Sequence, residues 1–155
     1  MEAFVQENFS FIVFFHVVSA IVWVGGMIAV RVAVHPALQN IEEPKVRIAR
    51  SLEITGRLFR LVMPFVVVLL LTAVIMQMGL GLTGPLVHIK EAIWMMMALN
   101  YGAMIVRRNK AEKYFVSGHT EVAAETLSVL PRMMIPVNIA LGLFALYFGV
   151  ILRGF

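Results

Sequence analysis

The chain has 155 residues, 61% of them hydrophobic and 14% charged, which is too apolar for a soluble domain to cover with its own surface. Its net charge of +4 looks at first like a nucleic-acid signal, but the basic residues flank apolar segments and form no binding patch. With no cysteine, disulfides, thiolate metal ligands, iron–sulfur clusters and cysteine nucleophiles are excluded.

Four apolar stretches, from about Phe9 to Val34, Phe59 to Leu82, Leu86 to Val106 and Val129 to Leu152, each approach the roughly 20 residues that cross a bilayer as a helix. The expected fold is all-α: an integral membrane protein with a four-transmembrane-helix up-and-down bundle as its single domain. The first stretch is longer than a signal core and lacks a basic leader, so it reads as a retained helix. It is expected to end at the Val34-His35-Pro36 corner. An amphipathic cytoplasmic helix over about 44–58 follows, opened by Glu42-Glu43-Pro44 and lying near the headgroups.

The second stretch closes on a turn containing Gly79, Gly81, Gly84 and Pro85, so helix three begins close to the same surface. Around Ser117-Gly118-His119 the helical pattern breaks, and a short helix with Glu121 and Glu125 leads into helix four. Pro131 and Pro136 are expected to kink the start of that helix. Beyond them, Asn138, Gly142, Ala145 and Gly149 form a small-residue face suited to close helix packing. All Lys and Arg residues except Lys90 and Arg153 flank the first and third connections. By the positive-inside rule those connections face the cytoplasm, which puts both termini on the outer, periplasmic side of a bacterial inner membrane.

Polar ionisable groups within spans are costly and call for a partner. His16 lies in the outer half of helix one and His88 near the outer start of helix three, at depths about one turn apart. A single membrane histidine is most simply an interhelical hydrogen bond, but a pair at matched depth is how a bundle holds a b-type heme. His16, Ala20, Trp23 and Met27 share a helical face, with Gly25 and Gly26 leaving room for a ring. Opposite them, His88, Ala92, Met95 and Leu99 share a face of helix three. Lys90 and Arg153 are placed to pair with propionates, and Glu91 to orient His88 or balance Lys90. His35 and His119 lie on the cytoplasmic side, with Arg31 nearby, and read first as surface or loop histidines, with a second redox, quinone or tetrapyrrole site as the alternative. The 11 methionines admit copper as an alternative, yet Met76 and Met78, like the run Met95-Met96-Met97, point in divergent directions and read as apolar filler. No Ser/His/Asp arrangement, phosphate loop or HExxH motif is present, so hydrolytic chemistry is not expected.

The string Phe15-His16-Val17-Val18-Ser19-Ala20-Ile21-Val22-Trp23-Val24-Gly25-Gly26 resembles the first helix of two related membrane families. These are the copper resistance protein D (CopD) family and the membrane-bound protoporphyrinogen IX oxidase (HemJ) family. The run through Arg31 to His35, and His88-Ile89-Lys90 at the start of helix three, resemble the oxidase family. Helix four differs, reading Met133-Met134-Ile135-Pro136 with Asn138 beyond, where that family carries Asn-Glu-Val-Pro. The oxidase resemblance implies heme b ligated by His16, with His88 or Lys90 completing the site. It further implies porphyrinogen oxidation with electrons passed to quinone, and Lys90 and the basic rim holding porphyrin carboxylates. The copper resemblance implies copper uptake, with His16, His88 and methionines as transient ligands. A structural or assembly subunit with hydrogen-bonded histidines is the third reading. The bilayer is the expected partner, and a homodimer is compatible with all three.

Overall fold

The structure, a computed structural model, describes residues 2–152, and among them every regular element is helical. A short α1 (Glu2–Glu7) precedes α2 (Phe9–Gln39), α3 (Pro44–Leu80), α4 (Pro85–Val116) and α5 (Thr120–Ile151). Of these, α2, α3 and α5 are long and apolar enough to cross a bilayer, as a helical membrane protein requires. The fourth long helix, α4, carries Lys90, Glu91 and Asn100 within its apolar stretch. Each long helix packs on the next in sequence, and α5 returns to α2.

Helix α2 does not end at Pro36. It runs on to Gln39 through two wider π-helical turns, Ile21–Gly25 and Val30–Val34. The second, closed by the His35 N–H on the Val30 carbonyl, lies immediately before the proline. A proline ring clashes with the carbonyl four residues back, and a widened turn moves that carbonyl aside, so the helix continues. Likewise the expected 44–58 helix is not separate. Pro44 starts a single 37-residue helix that spans about 55 Å. That exceeds the roughly 30 Å of hydrocarbon, so the charged segment prolongs the same axis instead of lying flat on the headgroups.

The α3 C-terminus is set by Gly81 at φ 60, whose N–H and that of Leu82 both donate to the Gln77 carbonyl. Pro85 then restarts the chain as α4 after Gly84 at φ 121. A similar left-handed glycine, Gly118, separates α4 from α5. Within α5 the Pro131 segment is a third π-helical turn, Leu130–Met134, through which the short helix bearing Glu121 and Glu125 runs on into the last apolar stretch.

Two polar contacts fix α4 against its neighbours. Asn100 Nδ2 donates to Asn138 Oδ1 at 2.7 Å and to the Met134 carbonyl at 2.8 Å, while Asn138, itself buried, donates to the Met97 carbonyl. Tyr101 donates its hydroxyl to the Phe59 carbonyl on α3 and lies edge-on to both Phe59 and Trp23. In a hydrocarbon setting such groups have few alternative partners, so they set helix rotation.

The small-residue face of α5 packs closely. A Cβ at Gly142 would fall 2.5 Å from Val24 Cγ2, inside the first π turn of α2. Gly142→Ala is therefore expected to cost about 1–3 kcal/mol through overpacking. Gly102→Ala, where the added methyl meets nothing within 4 Å, should instead gain up to about 1 kcal/mol. Thermal unfolding in detergent checks both, and equal midpoints for the two variants would contradict the packing described.

Candidate functional site

His16 sits in the first α-helical segment of α2, half-buried, with Nδ1 2.9 Å from Thr72 Oγ1 on α3. The Thr72 hydroxyl has a single proton, and that proton is given back to its own helix, at 2.7 Å to the Val68 carbonyl. The hydroxyl oxygen then serves as acceptor for an Nδ1–H imidazole, with the Leu69 carbonyl of the same helix also in reach of the ring, and in that tautomer the Nε2 lone pair is not used by Thr72. A histidine held through one ring nitrogen by a neighbouring acceptor is the usual arrangement of a metal-ligating imidazole.

The partner facing His16 is not the one expected. His88 turns outward with its side chain 72% exposed, and its Nδ1 pairs with Glu91 Oε2 at 3.0 Å on the same helix. Lys90, two residues further and therefore about 200° round the helix, turns inward. Its Nζ stands 3.4 Å from where a Gly149 Cβ would be, and it lies close enough to His16 for the two charges to interact. No ion pair engages Lys90 among the described residues.

The reason lies in the register of α4. Val87, Lys90, Ile93, Met97, Tyr101 and Met104 recur at spacings of three and four and form its inward stripe. His88, Ala92, Met95 and Leu99 form the opposite, exposed stripe. Rotating His88 inward would carry Tyr101 and Asn100 away from Phe59 and Asn138 and leave their hydrogen bonds unmade. The expected slot between two histidine-bearing faces is consequently absent within the chain.

On α2 the expected slot residues are already packed. Trp23 is 1% exposed, Met27 is fully buried, and a Cβ at Gly26 would fall only 3.1 Å from Leu58 Cδ1. Met95 lies on the outward stripe, and Met76 and Met78 do not converge with it. Arg153 lies outside the described residues. His35 and Arg31 sit together at the other end of α2, about 28 Å along the helix from His16, beside Arg132. His119 stands exposed in the turn before α5.

Among the described residues no group of three or more His, Cys, Asp or Glu side chains is arranged to hold a metal ion. For a heme, the donor chemistry supplies one axial nitrogen, His16 Nε2, and an unpaired ammonium, Lys90, suited to a carboxylate. It does not supply His88 as the opposing ligand. One further observation belongs to this region: the indole N–H groups of Trp23 and Trp94 are buried without a hydrogen-bond partner. Thr72 was not singled out from the sequence. Its signal is that it is the lone hydroxyl in the run from Val66 to Met76, where a polar group in lipid implies a partner.

Comparison with protein-family models, curated proteins and solved structures finds no match to this chain.

Thr72→Val should remove the acceptor for His16, at a cost of about 0.6 kcal/mol and at most ~2 kcal/mol. The imidazole nitrogen shifts of labelled protein read the tautomer directly. A single Nδ1–H form is expected in the parent and a mixture in the variant, whereas an Nε2–H form in the parent would contradict the assignment.

Proposed function

We propose that this chain is a heme b-binding redox protein of the bacterial inner membrane, in which His16 would ligate the iron and Lys90 would counter-charge a porphyrin carboxylate. The ring would lie outside the filled interior beside Trp23 and Met27. The observation that carries the reading is an imidazole engaged by Thr72 through Nδ1 close to an ammonium that forms no ion pair among the described residues. An uncompensated ammonium among apolar helices is costly and favours a bound anion. The chain's resemblance to the protoporphyrinogen oxidase family, through His16, Trp23, Gly25-Gly26 and the His88-Ile89-Lys90 motif, points the same way.

In this reading all four long helices cross the bilayer. The basic end, with every Lys and Arg but Lys90 and Arg153, faces the cytoplasm, and both chain termini face the periplasm. The polar positions of α4 are then answered internally: Asn100 and Tyr101 by α5 and α3, and Lys90 by the ligand.

When bound, the heme supplies one-electron transfer, and quinone in the bilayer is the natural acceptor. The chain's own residues do the rest. Thr72 fixes the His16 ring so that Nε2 presents its lone pair. Lys90 would orient a carboxylate through its charge and hold an exchangeable proton at Nζ. Trp23, Tyr101 and Phe59 pack the interior below His16 and exclude water from the path between the two ends. His88 is left with a role at the rim beside Glu91. No feature of the methionine positions favours copper handling over this reading.

The test is an oxidised and reduced visible spectrum of detergent-purified protein. A Soret band with a sharp reduced α band is expected, lost in His16→Ala and kept in His88→Ala. Lys90→Met should retain the spectrum with heme affinity about tenfold lower, about 1.4 kcal/mol. A colourless protein that stays apo after hemin addition would overturn the proposal. Equal loss in His88→Ala would restore a shared histidine pair.

A further inference from the structure

At the basic end of the bundle, far from His16, the last turns of α2, the first turns of α3 and the start of α5 enclose a cavity of about 430 Å³. His35, Arg47 and Arg132 line its mouth, with Glu125 the only carboxylate among the lining residues. Its floor is apolar, built by Val30, Ile48, Leu130 and Ile135. Arg31 stands just outside, and Arg31 and Arg132 are both close enough to His35 for their charges to act on it.

These cations are not neutralised within the protein. Arg31, Arg47 and Arg132 form no ion pair among the described residues. Arg47 makes one long bond, 3.4 Å to the Ile41 carbonyl, which leaves most of its fork free. The hydroxyls beside them are already spent, Ser51 on the Arg47 carbonyl and Ser128 on the Glu125 carbonyl. The free donors are therefore guanidinium N–H groups on two different helices and an imidazole between them.

The backbone reinforces the picture. Two of the three π-helical turns, Val30–Val34 and Leu130–Met134, contribute residues to the lining of this same cavity. Each closes with an i to i−5 bond, His35 N–H to the Val30 carbonyl and Ile135 N–H to the Leu130 carbonyl. A π turn adds a residue without breaking the helix, and such turns concentrate at functional sites. Here they widen the two helices where the cavity opens.

We infer that this cavity binds the phosphate of an anionic phospholipid headgroup, held between Arg47 and Arg132 with its acyl chains leaving along the apolar floor. Two guanidinium forks from separate helices match the oxygens of a phosphate. The apolar floor and cationic mouth require an amphiphilic anion, and the cavity lies at the level where the basic residues of the other helices gather. Anionic lipids are the abundant amphiphiles of that chemistry at the inner face of a membrane.

The test compares lipid retention after exchange of purified protein into equal amounts of phosphatidylglycerol and phosphatidylcholine, counted by native mass spectrometry. The parent should keep phosphatidylglycerol with a preference of about tenfold. The Arg47→Gln/Arg132→Gln pair should lose that preference, and Arg47→Lys/Arg132→Lys should recover part of it. Arg107→Gln/Lys110→Gln, at the same end but outside the cavity, should leave it unchanged. Retained preference in the first pair, or equal loss in the control pair, would overturn the site in favour of diffuse attraction to the basic end. Millimolar inorganic phosphate that displaces the lipid would support the phosphate site and assign it a soluble occupant. Should the Gln pair fail to fold, stabilisation of the parent by phosphatidylglycerol over phosphatidylcholine in thermal unfolding remains as the readout. Its absence would overturn the inference.

Discussion

The rotation of α4 about its own axis decides what the rest of the molecule can do. It is held by hydrogen bonds that hydrocarbon cannot replace: Asn100 to Asn138 and the Met134 carbonyl on one side, Tyr101 to the Phe59 carbonyl on the other. With those made, the inward stripe is Val87, Lys90, Ile93, Met97, Tyr101 and Met104, and it continues to Arg108 and Ala111. A charged residue thus stands near each end of the stripe. Lys90 lies against Gly149 with its charge felt at His16, while Arg108 lies on Gly56, donates to the Leu52 carbonyl and grips Glu112 with both branches of its fork.

The two cations have opposite circumstances. Arg108 is paired and structural, tying α4 to α3 where Gly56 leaves room for the guanidinium. Lys90 forms no ion pair among the described residues, and the functional proposal rests on this contrast within one stripe. At the basic end the same contrast recurs. Arg50 and Arg57 share Glu53, whereas Arg31 and Arg132 lie near His35, and Arg47 lines the same cavity as His35 and Arg132, with no ion pair to any of the three among the described residues. Unmatched charge therefore marks two places, one near each end of the bundle.

Much of this was legible in the sequence, and the limits were physical. Long apolar stretches gave the helices, Gly81, Gly84 and Gly118 gave the turns, and the clustering of Lys and Arg distinguished the two ends. His16 and His88 stood out as ionisable residues in apolar runs, with Lys90 read as a rim partner for propionates. The facing surface of α4 was harder, because both of its stripes are apolar: Met95 and Leu99 on one, Met97 and Met104 on the other. Periodicity alone could not choose between them. Asn100 and Tyr101 carried the information, since each needs a partner and both lie about three turns beyond Lys90 on its side of the helix. The π-helical turns left no comparable trace. Pro36 announces a break, yet the chain absorbs it by widening one turn, and only the three-dimensional arrangement reveals that two such turns face one cavity.

The central claim is that Lys90, and not His88, faces His16. Because the chain has no cysteine, single-cysteine variants at positions 88 and 90 can be labelled with a bulky maleimide in detergent without background. The account predicts rapid labelling at 88 and strong protection at 90. Equal rates, or protection at 88 alone, would mean that α4 is turned the other way and that the site is not the one described.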